Sequence, residues 1–393
     1  MKPETGIEFT SLIDVLNDTS FNDSAAETAE EHFHHLCPSC RIFAIILYST
    51  LSIVAFIGNS LIVTVILYFP RLRTATNFLI LNLAVADLMI SIFCMPFSYW
   101  HVIIFDDQRW LFGALLCKFF GFLQATAVFL SSWTLVAISF DRFMAIMFVM
   151  SPWLRLTRSR AFYLIVVTWV FSLGMALPLF YVNHIETLAP QNTVTCQEDW
   201  KMLRFLGDER RIMHTYTSVV FALQYVLPLV VLIITYTFIG IKMWNSKVPG
   251  DRRNNQCVVQ GRHESVKKMI PMVLMVSALY AGCWAPQNIL MNIWIPFDPK
   301  IAEHAYILYI WWMSHTLAMF HSIVNPFIYY TQNRRIHEGV KYLLRFFPCI
   351  KYEGLHLLEE KKGGARAVRI VNMVAYLPIA GKDTVQSTVS TSG

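Results

Sequence analysis

The feature that most constrains this chain is a set of seven apolar stretches, each long enough to cross a bilayer, at 42–69, 77–101, 116–148, 161–182, 213–244, 266–296 and 302–331. About 20 apolar residues at 1.5 Å rise span the hydrocarbon core. In lipid, a helix satisfies every backbone N–H and C=O within its own segment, so each stretch is predicted to be a transmembrane helix. The longer ones are expected to tilt or project past the membrane. Pro178, Pro228, Pro286 and Pro326 lie within or near the ends of four stretches, where they predict kinks rather than breaks. Composition agrees: 55% of the 393 residues are hydrophobic and only 15% charged, against roughly a quarter charged in a soluble chain. A cytosolic multidomain enzyme and a disordered or fibrous chain are thereby excluded.

An odd number of spans puts the termini on opposite sides. Arg71 and Arg73 follow the first stretch, Arg155, Arg158 and Arg160 the third, a basic run from Lys242 to Lys268 joins the fifth to the sixth, and Arg334, Arg335, Lys341 and Arg345 follow the seventh. Those connections share one face, and basic excess marks the cytoplasm. Residues 1–40 carry eight acids against Lys2 alone, with glycosylation acceptor patterns at Asn17-Asp-Thr19 and Asn22-Asp-Ser24. The amino end is therefore expected outside, at the plasma membrane, and the carboxyl end inside. Residues 1–10 lack an apolar core, so the first span is expected to act as the insertion signal. The net charge of +6 reads as a cytoplasmic rim facing anionic membrane lipid rather than a nucleic-acid surface. No internal repeat is visible, which disfavours a transporter of duplicated halves.

Of eight cysteines, Cys117 and Cys196 fall on the outer side, where a disulfide persists. A bridge between them would pin the loop between spans four and five across the mouth of the bundle, worth on the order of 4 kcal/mol by loop entropy. Cys37 and Cys40 also lie outside; their spacing, beside His32, His34 and His35, leaves redox or metal chemistry open next to an ordinary disulfide. Cys94 and Cys283 read as packing residues, and Cys349 as a palmitoylation site.

Two constellations sit where hydrocarbon excludes polar groups. Asp87 lies in mid-span, at a cost of ~3 kcal/mol unless it faces the interior. Asn59, Ser131 and Asn325 lie at comparable depth. They can form one pocket for a sodium ion, or a purely structural hydrogen-bond network between helices. Asp141-Arg142-Phe143 ends the third span with an acid beside a base. It is either an interfacial charge pair, or a latch whose arginine becomes available to a partner when the inner face opens.

Gly58-Asn59, Leu83-Ala-Val-Ala-Asp87, Trp110-Leu-Phe-Gly113, Asp141-Arg-Phe143, Trp169, Cys283-Trp-Ala-Pro286 and Asn325-Pro-Phe-Ile-Tyr329 occur in that order, one set per span. From about residue 42 to 347 this resembles the rhodopsin-like (class A) G-protein-coupled receptors. The resemblance implies an all-α membrane protein, a seven-helix bundle with a short amphipathic helix after the last span. It implies four regions: a glycosylated outer tail (1–41), the receptor bundle (42–331), the amphipathic helix (332–349) and a flexible inner tail (350–393). By the same resemblance Trp284 is the toggle at the Pro286 kink, and Asp87, Ser131 and Asn325 form the sodium site. Arg142 with Asp141, Tyr236, Pro326 and Tyr329 is the switch that rearranges as the sixth helix swings out. The chain departs from the family at Phe143 and Tyr280, usually tyrosine and phenylalanine. Val149 replaces a common proline, and Val266 offers no acid to lock Arg142.

Single positions separate ligand classes. A retinal protein needs a lysine in the seventh span, where Met319 stands, and an amine receptor needs an acid where Gln124 stands. Gln124 with His315 resembles neuropeptide Y-type receptors, and Glu198 resembles RFamide-peptide receptors. Those receptors imply an extracellular, amidated short peptide as ligand and a heterotrimeric G protein as partner. The outer acids, including Asp106, Asp107, Glu198, Asp298 and Glu303, are expected to steer a cationic peptide. Phe97, Tyr99, Trp100, Phe129, Trp294, Trp311 and Trp312 are candidates to receive its aromatic side chains. Ile295 stands where neuropeptide Y receptors usually carry an acid. A receptor for a non-peptide small molecule is the alternative, with a transporter behind it. After Tyr329, Ile336, Val340, Leu343, Leu344 and Phe347 fall on one helical face, an interfacial helix along the inner leaflet. Thr384, Ser387, Thr388, Ser390, Thr391 and Ser392 offer sites for receptor kinases and then arrestin. No enzymatic activity and no cofactor beyond the sodium ion are expected.

Overall fold

The computed structural model describes residues 38–99, 109–148, 151–188, 193–245, 256–298, 301, 306–347 and 350. Asn17, Asn22, Cys37, Asp106, Asp107, Glu303, Cys349 and the carboxyl-terminal hydroxyl cluster lie outside them, as do the side chains of Tyr99, Trp100 and Val266. Among the described residues eight principal helices follow one another. They are α1 (Pro38–Tyr68), α2 (Ala75–Met89, continued by Ile90–Cys94 and Met95–Tyr99), α3 (Gly113–Met147) and α4 (Arg158–Val182). Then come α5 (Glu209–Phe221, Ala222–Val226 and Leu227–Asn245), α6 (Gln256–Ile289, Leu290–Trp294 and Ile295–Phe297), α7 (Ile307–Gln332) and α8 (Arg334–Leu343). Seven of them are long and apolar enough to cross a membrane. The chain is a multi-pass membrane protein built as a seven-helix bundle.

Local chemistry sets the helix starts. Thr74, Thr157 and Asp208 accept backbone N–H groups of the first turns of α2, α4 and α5, and Asn333 does the same for α8. The apolar pattern places the start of α5 at residue 213, but the helix begins at Glu209; its first turn, Glu-Arg-Arg, is too polar for hydropathy to register. Between α4 and α5, β1 (Asn183–Leu188) and β2 (Thr193–Glu198) pair antiparallel, with Ile185 opposite Cys196. The Cys117–Cys196 disulfide ties that hairpin to the first turns of α3. Cys40 is also disulfide-bonded, whereas Cys94 and Cys283 are free and buried, as packing residues should be.

Three helices change register in the same way. Each contains one wider, π-type turn, at Ile90–Cys94, Ala222–Val226 and Leu290–Trp294, and each turn ends two residues before a proline: Pro96, Pro228 and Pro296. Proline has no N–H, so the carbonyl about one turn earlier loses its helix partner, and in hydrocarbon that group must find another. For the turns before Pro96 and Pro228 the donors come from neighbouring helices. Ser52 donates to Ser91 O, Trp133 Nε1 to Leu223 O and the Tyr280 hydroxyl to Gln224 O. The kinks within α4 and α7 are treated alike: Tyr216 donates to Met175 O below Pro178, and Asn59 Nδ2 to Ser322 O below Pro326. This explains Tyr280 in place of the family's phenylalanine, since its hydroxyl caps a carbonyl freed by Pro228.

Close approaches depend on glycine. A Cβ at Gly58 would lie 3.0 Å from the Pro326 ring, and one at Gly339 would lie 2.5 Å from Val65 Cγ1. The second contact seats α8 on α1, with Ile336 and Val340 buried and Tyr342 edge-on to Phe69. Leu343 and Leu344 are half-buried, but Phe347, expected on the same apolar face, is 61% exposed. The helix ends at Leu343, so the 3.6-residue spacing no longer governs Phe347.

Candidate functional site

At the hairpin end of the bundle lies a cavity of about 290 Å³, floored by Trp284 and roofed in part by Glu198 of β2. Helix α3 supplies Gln124, α6 supplies Gln287, Asn288 and Asn292, and α7 supplies Trp311 and His315. Glu198 is fixed by Trp200, whose Nε1 donates to Glu198 Oε2 at 2.9 Å. Gln287 Oε1 accepts from Ser314 Oγ at 2.6 Å, which leaves its amide nitrogen as the free end. His315 stacks on Trp311 with ring centroids 4.9 Å apart, and its Nδ1 lies 2.8 Å from the Tyr48 hydroxyl. Among the described residues lining the cavity, Glu198 is the one acid and no lysine or arginine occurs. The chamber can therefore hold aromatic surface, neutral amides and a single cation at its rim.

Gln124, Glu198, Trp311 and His315 thus line one cavity. Phe97 is placed differently: it packs against Phe112 and Trp110, at 5.0 and 6.2 Å. Trp110 in turn donates its backbone N–H to Val194 O of the hairpin, so Phe97 helps hold the hairpin. Asp298 is exposed beyond the end of α6 and Trp294 is half exposed; Phe129 packs on Phe171, and Trp312 on Tyr48 and Phe43. None of these five lines the cavity. Sequence reasoning passed over Gln287, Asn288 and Asn292, although three carboxamides just above Trp284 in an apolar stretch were a usable signal.

Below the floor runs a chain of buried polar contacts. Trp284 Nε1 donates to His321 Nδ1 at 3.2 Å, and His321 Nε2 lies 3.7 Å from Asp87 Oδ1. Asp87 Oδ2 accepts from Asn325 Nδ2 at 2.7 Å. His321 Nδ1 is also 2.6 Å from Ala318 O, so the two contacts exclude each other: protonated, Nδ1 donates to Ala318 O, and unprotonated it accepts from Trp284 with the ring proton on Nε2 toward Asp87. His321 was missed too; it sits one turn from Asn325 on the same face of α7, the spacing that reveals such partners. Asp87, Ser131 and Asn325 are fully or almost fully buried, and Asp87 Oδ1 and Ser131 Oγ have no hydrogen-bond partner among the described residues. A carboxylate oxygen and a hydroxyl oxygen are hard donors of the kind that could hold a small monovalent cation.

At the far end, Arg142 is buried and paired with Asp141, and both bond Thr76 of α2. Tyr236 faces Ser277 of α6 at 3.2 Å rather than Arg142, and Tyr329 is buried. Phe143 sits against Phe238 of α5, 6.2 Å between centroids. The arginine is thus held by the neighbouring acid and by Thr76 of α2.

Residues 58–329 match the family described as 7 transmembrane receptor (rhodopsin family). The chain is 51% identical over 353 residues to neuropeptide receptor 22 of Caenorhabditis elegans, covering 89% of this chain and 80% of that one. It is 36% identical over 316 residues to the RYamide receptor of Drosophila melanogaster, 79% of this chain and 65% of that one. Against the substance-P receptor of Aquarana catesbeiana it is 33% identical over 318 residues, 79% and 73% of the two chains.

Proposed function

We propose, from the premise that this chain belongs to the rhodopsin family of seven-transmembrane receptors and is similar to neuropeptide receptors, that it binds a short, C-terminally amidated peptide from outside the cell. Binding then drives nucleotide exchange on a heterotrimeric G protein. The observation that carries this reading is the charge pattern of the cavity: one acid at the rim and otherwise neutral amides, hydroxyls and rings. A free peptide carboxylate would enter with no lysine or arginine to meet it among the described lining residues, and burying an unpaired charge is costly. A carboxamide instead finds Gln124, Gln287 and His315. A peptide arginine finds Glu198, already oriented by Trp200, and the penultimate aromatic ring lies against Trp284 and Trp311. The RYamide receptors among its relatives support the same chemistry.

Signalling is a population shift. The closed arrangement keeps Arg142 on Asp141 and Thr76, with Asp87, Ser131 and Asn325 holding a sodium ion that favours it. A peptide that contacts Trp284 better in the open arrangement moves the equilibrium by its difference in affinity for the two. Trp284, Pro286, Asn325, Pro326, Tyr236 and Tyr329 are the parts that move. The receptor sits in the plasma membrane with the amino end and its Asn17 and Asn22 glycans outside, an orientation that the basic excess of the opposite face supports. Arrestin and receptor kinases act on the inner tail, Cys349 is acylated, and membrane lipid surrounds the spans.

The test is a cyclic-AMP or calcium response in transfected cells exposed to paired peptides that differ only in a C-terminal amide or acid. The amide is expected to be at least about tenfold more potent, a difference of roughly 1.4 kcal/mol. Equal potency of the two forms, or responses to small amines but to no peptide, overturns the reading.

A further inference from the structure

A second concavity, of about 400 Å³, lies between α5 and α6 on the outside of the bundle, away from the peptide cavity. Its origin is a mismatch in side-chain length. Three tyrosines set the spacing of the two helices: Tyr225 donates to Ala281 O, Tyr280 to Gln224 O, and Tyr236 meets Ser277 Oγ. Between them α6 lines the gap with Ser277, Ala278 and Ala281, which are too short to fill it. The remaining walls are branched aliphatics, chiefly Leu229, Ile233 and Leu274. Ile233 is 57% and Leu274 45% exposed, and they belong to the surface these spans turn toward lipid.

We infer that this cleft is a binding site for one acyl chain of a membrane lipid, entering sideways from the bilayer. The lining residues recur at 229, 233 and 237 on α5 and at 274, 278 and 281 on α6, one stripe per helix. The cleft therefore runs lengthwise for about 12 Å at 1.5 Å rise, parallel to the direction in which lipid tails lie. It is continuous with the lipid-facing surface, so hydrocarbon is what reaches it. Its floor is the Tyr236–Ser277 contact, the pair between α5 and α6 that must change if α6 swings; that consequence, unlike the site itself, rests on the receptor reading above. A tail in the cleft braces the two helices in their present spacing.

The site is tested on purified full-length protein in phosphatidylcholine nanodiscs containing a trace of phospholipid with a diazirine in its acyl chain. Labelling after illumination is expected to concentrate on Leu229, Ile233, Leu274 and Ala278, at least about fivefold over exposed positions elsewhere such as Ile53 and Val170. Ala278→Trp fills the cleft and should remove that excess while leaving Ile53 labelled; Ala278→Leu, milder for folding, should reduce it. Separately, lysophospholipids of increasing chain length should raise the unfolding temperature of the unmodified protein but not that of Ala278→Trp. Even labelling around the bundle overturns the site, and stronger labelling of the same residues by a photoreactive sterol overturns the acyl assignment. Neither readout uses peptide or G protein, so a negative result here leaves the receptor reading standing, and failure of that reading leaves the labelling pattern as expected.

Discussion

Around Asp87, the polar side chains are sealed in: Asp87, Ser131 and Asn325 are at most 2% exposed. At the hairpin end, Gln124, Glu198, Gln287, Asn288 and Asn292 are all half-buried. The difference lies in what each layer can tolerate. A half-buried amide that loses its partner recovers water, whereas a sealed carboxylate that loses one pays the full desolvation cost, ~1–3 kcal/mol or more. The cavity can thus vary its chemistry to suit a ligand without endangering the fold. The Asp87 layer cannot, and is suited to a mechanism shared across many ligands. His321 is where the two meet, with one nitrogen toward Trp284 and the other toward Asp87.

If the two ends are separable in this way, Arg142→Ala should reduce G-protein activation by about 100-fold or more. Peptide affinity should stay within about threefold, as measured by nucleotide exchange and radioligand binding on the same membranes. Loss of binding as well would erase the distinction. Next in size, Glu198→Gln should raise the EC50 of an arginine-bearing amidated peptide by about 10–100-fold, or roughly 1.4–2.7 kcal/mol. A citrulline analogue should be almost indifferent to the change, and an equal shift for both peptides would show that Glu198 acts through Trp200 on the hairpin alone. His321→Leu should move potency less, by about 3–10-fold, yet abolish the dependence of agonist affinity on sodium concentration, which Glu198→Gln should leave intact. A sodium response unchanged by His321→Leu would uncouple the two layers. Smallest of all, Gly339→Leu should lift α8 from Val65 and lower the unfolding midpoint by a few degrees, about 1 kcal/mol at this size, without altering peptide affinity.

Much of this was legible one residue at a time. Desolvation acts on each segment locally, so apolar length alone marks seven helices, and the oddity of Asp87 or Arg142 in such a setting is visible without coordinates. Phe347 shows where the local rule ends: its spacing is right for the apolar face of α8, but the helix stops before reaching it. Phe97 shows the same limit at the ligand end. An aromatic residue at a span terminus fits a pocket and a packing role equally well, and only its contact with Phe112 and Trp110 decides between them.

The amino-acid order by itself determined how many times the chain crosses the bilayer and which residues are too polar for where they lie, because each of these depends on a residue and its near neighbours. Tertiary structure alone decided who answers whom. Asn325 reaches Asp87 across 238 residues and Tyr48 reaches His315 across 267. The donors for the carbonyls freed by Pro96, Pro178, Pro228 and Pro326 come from other helices, and the cleft between α5 and α6 exists because tyrosines on both helices hold apart two faces that no local pattern relates. The physical reason is common to all of these: in a medium without water, a polar group's partner is set by three-dimensional proximity, which separation along the chain does not encode.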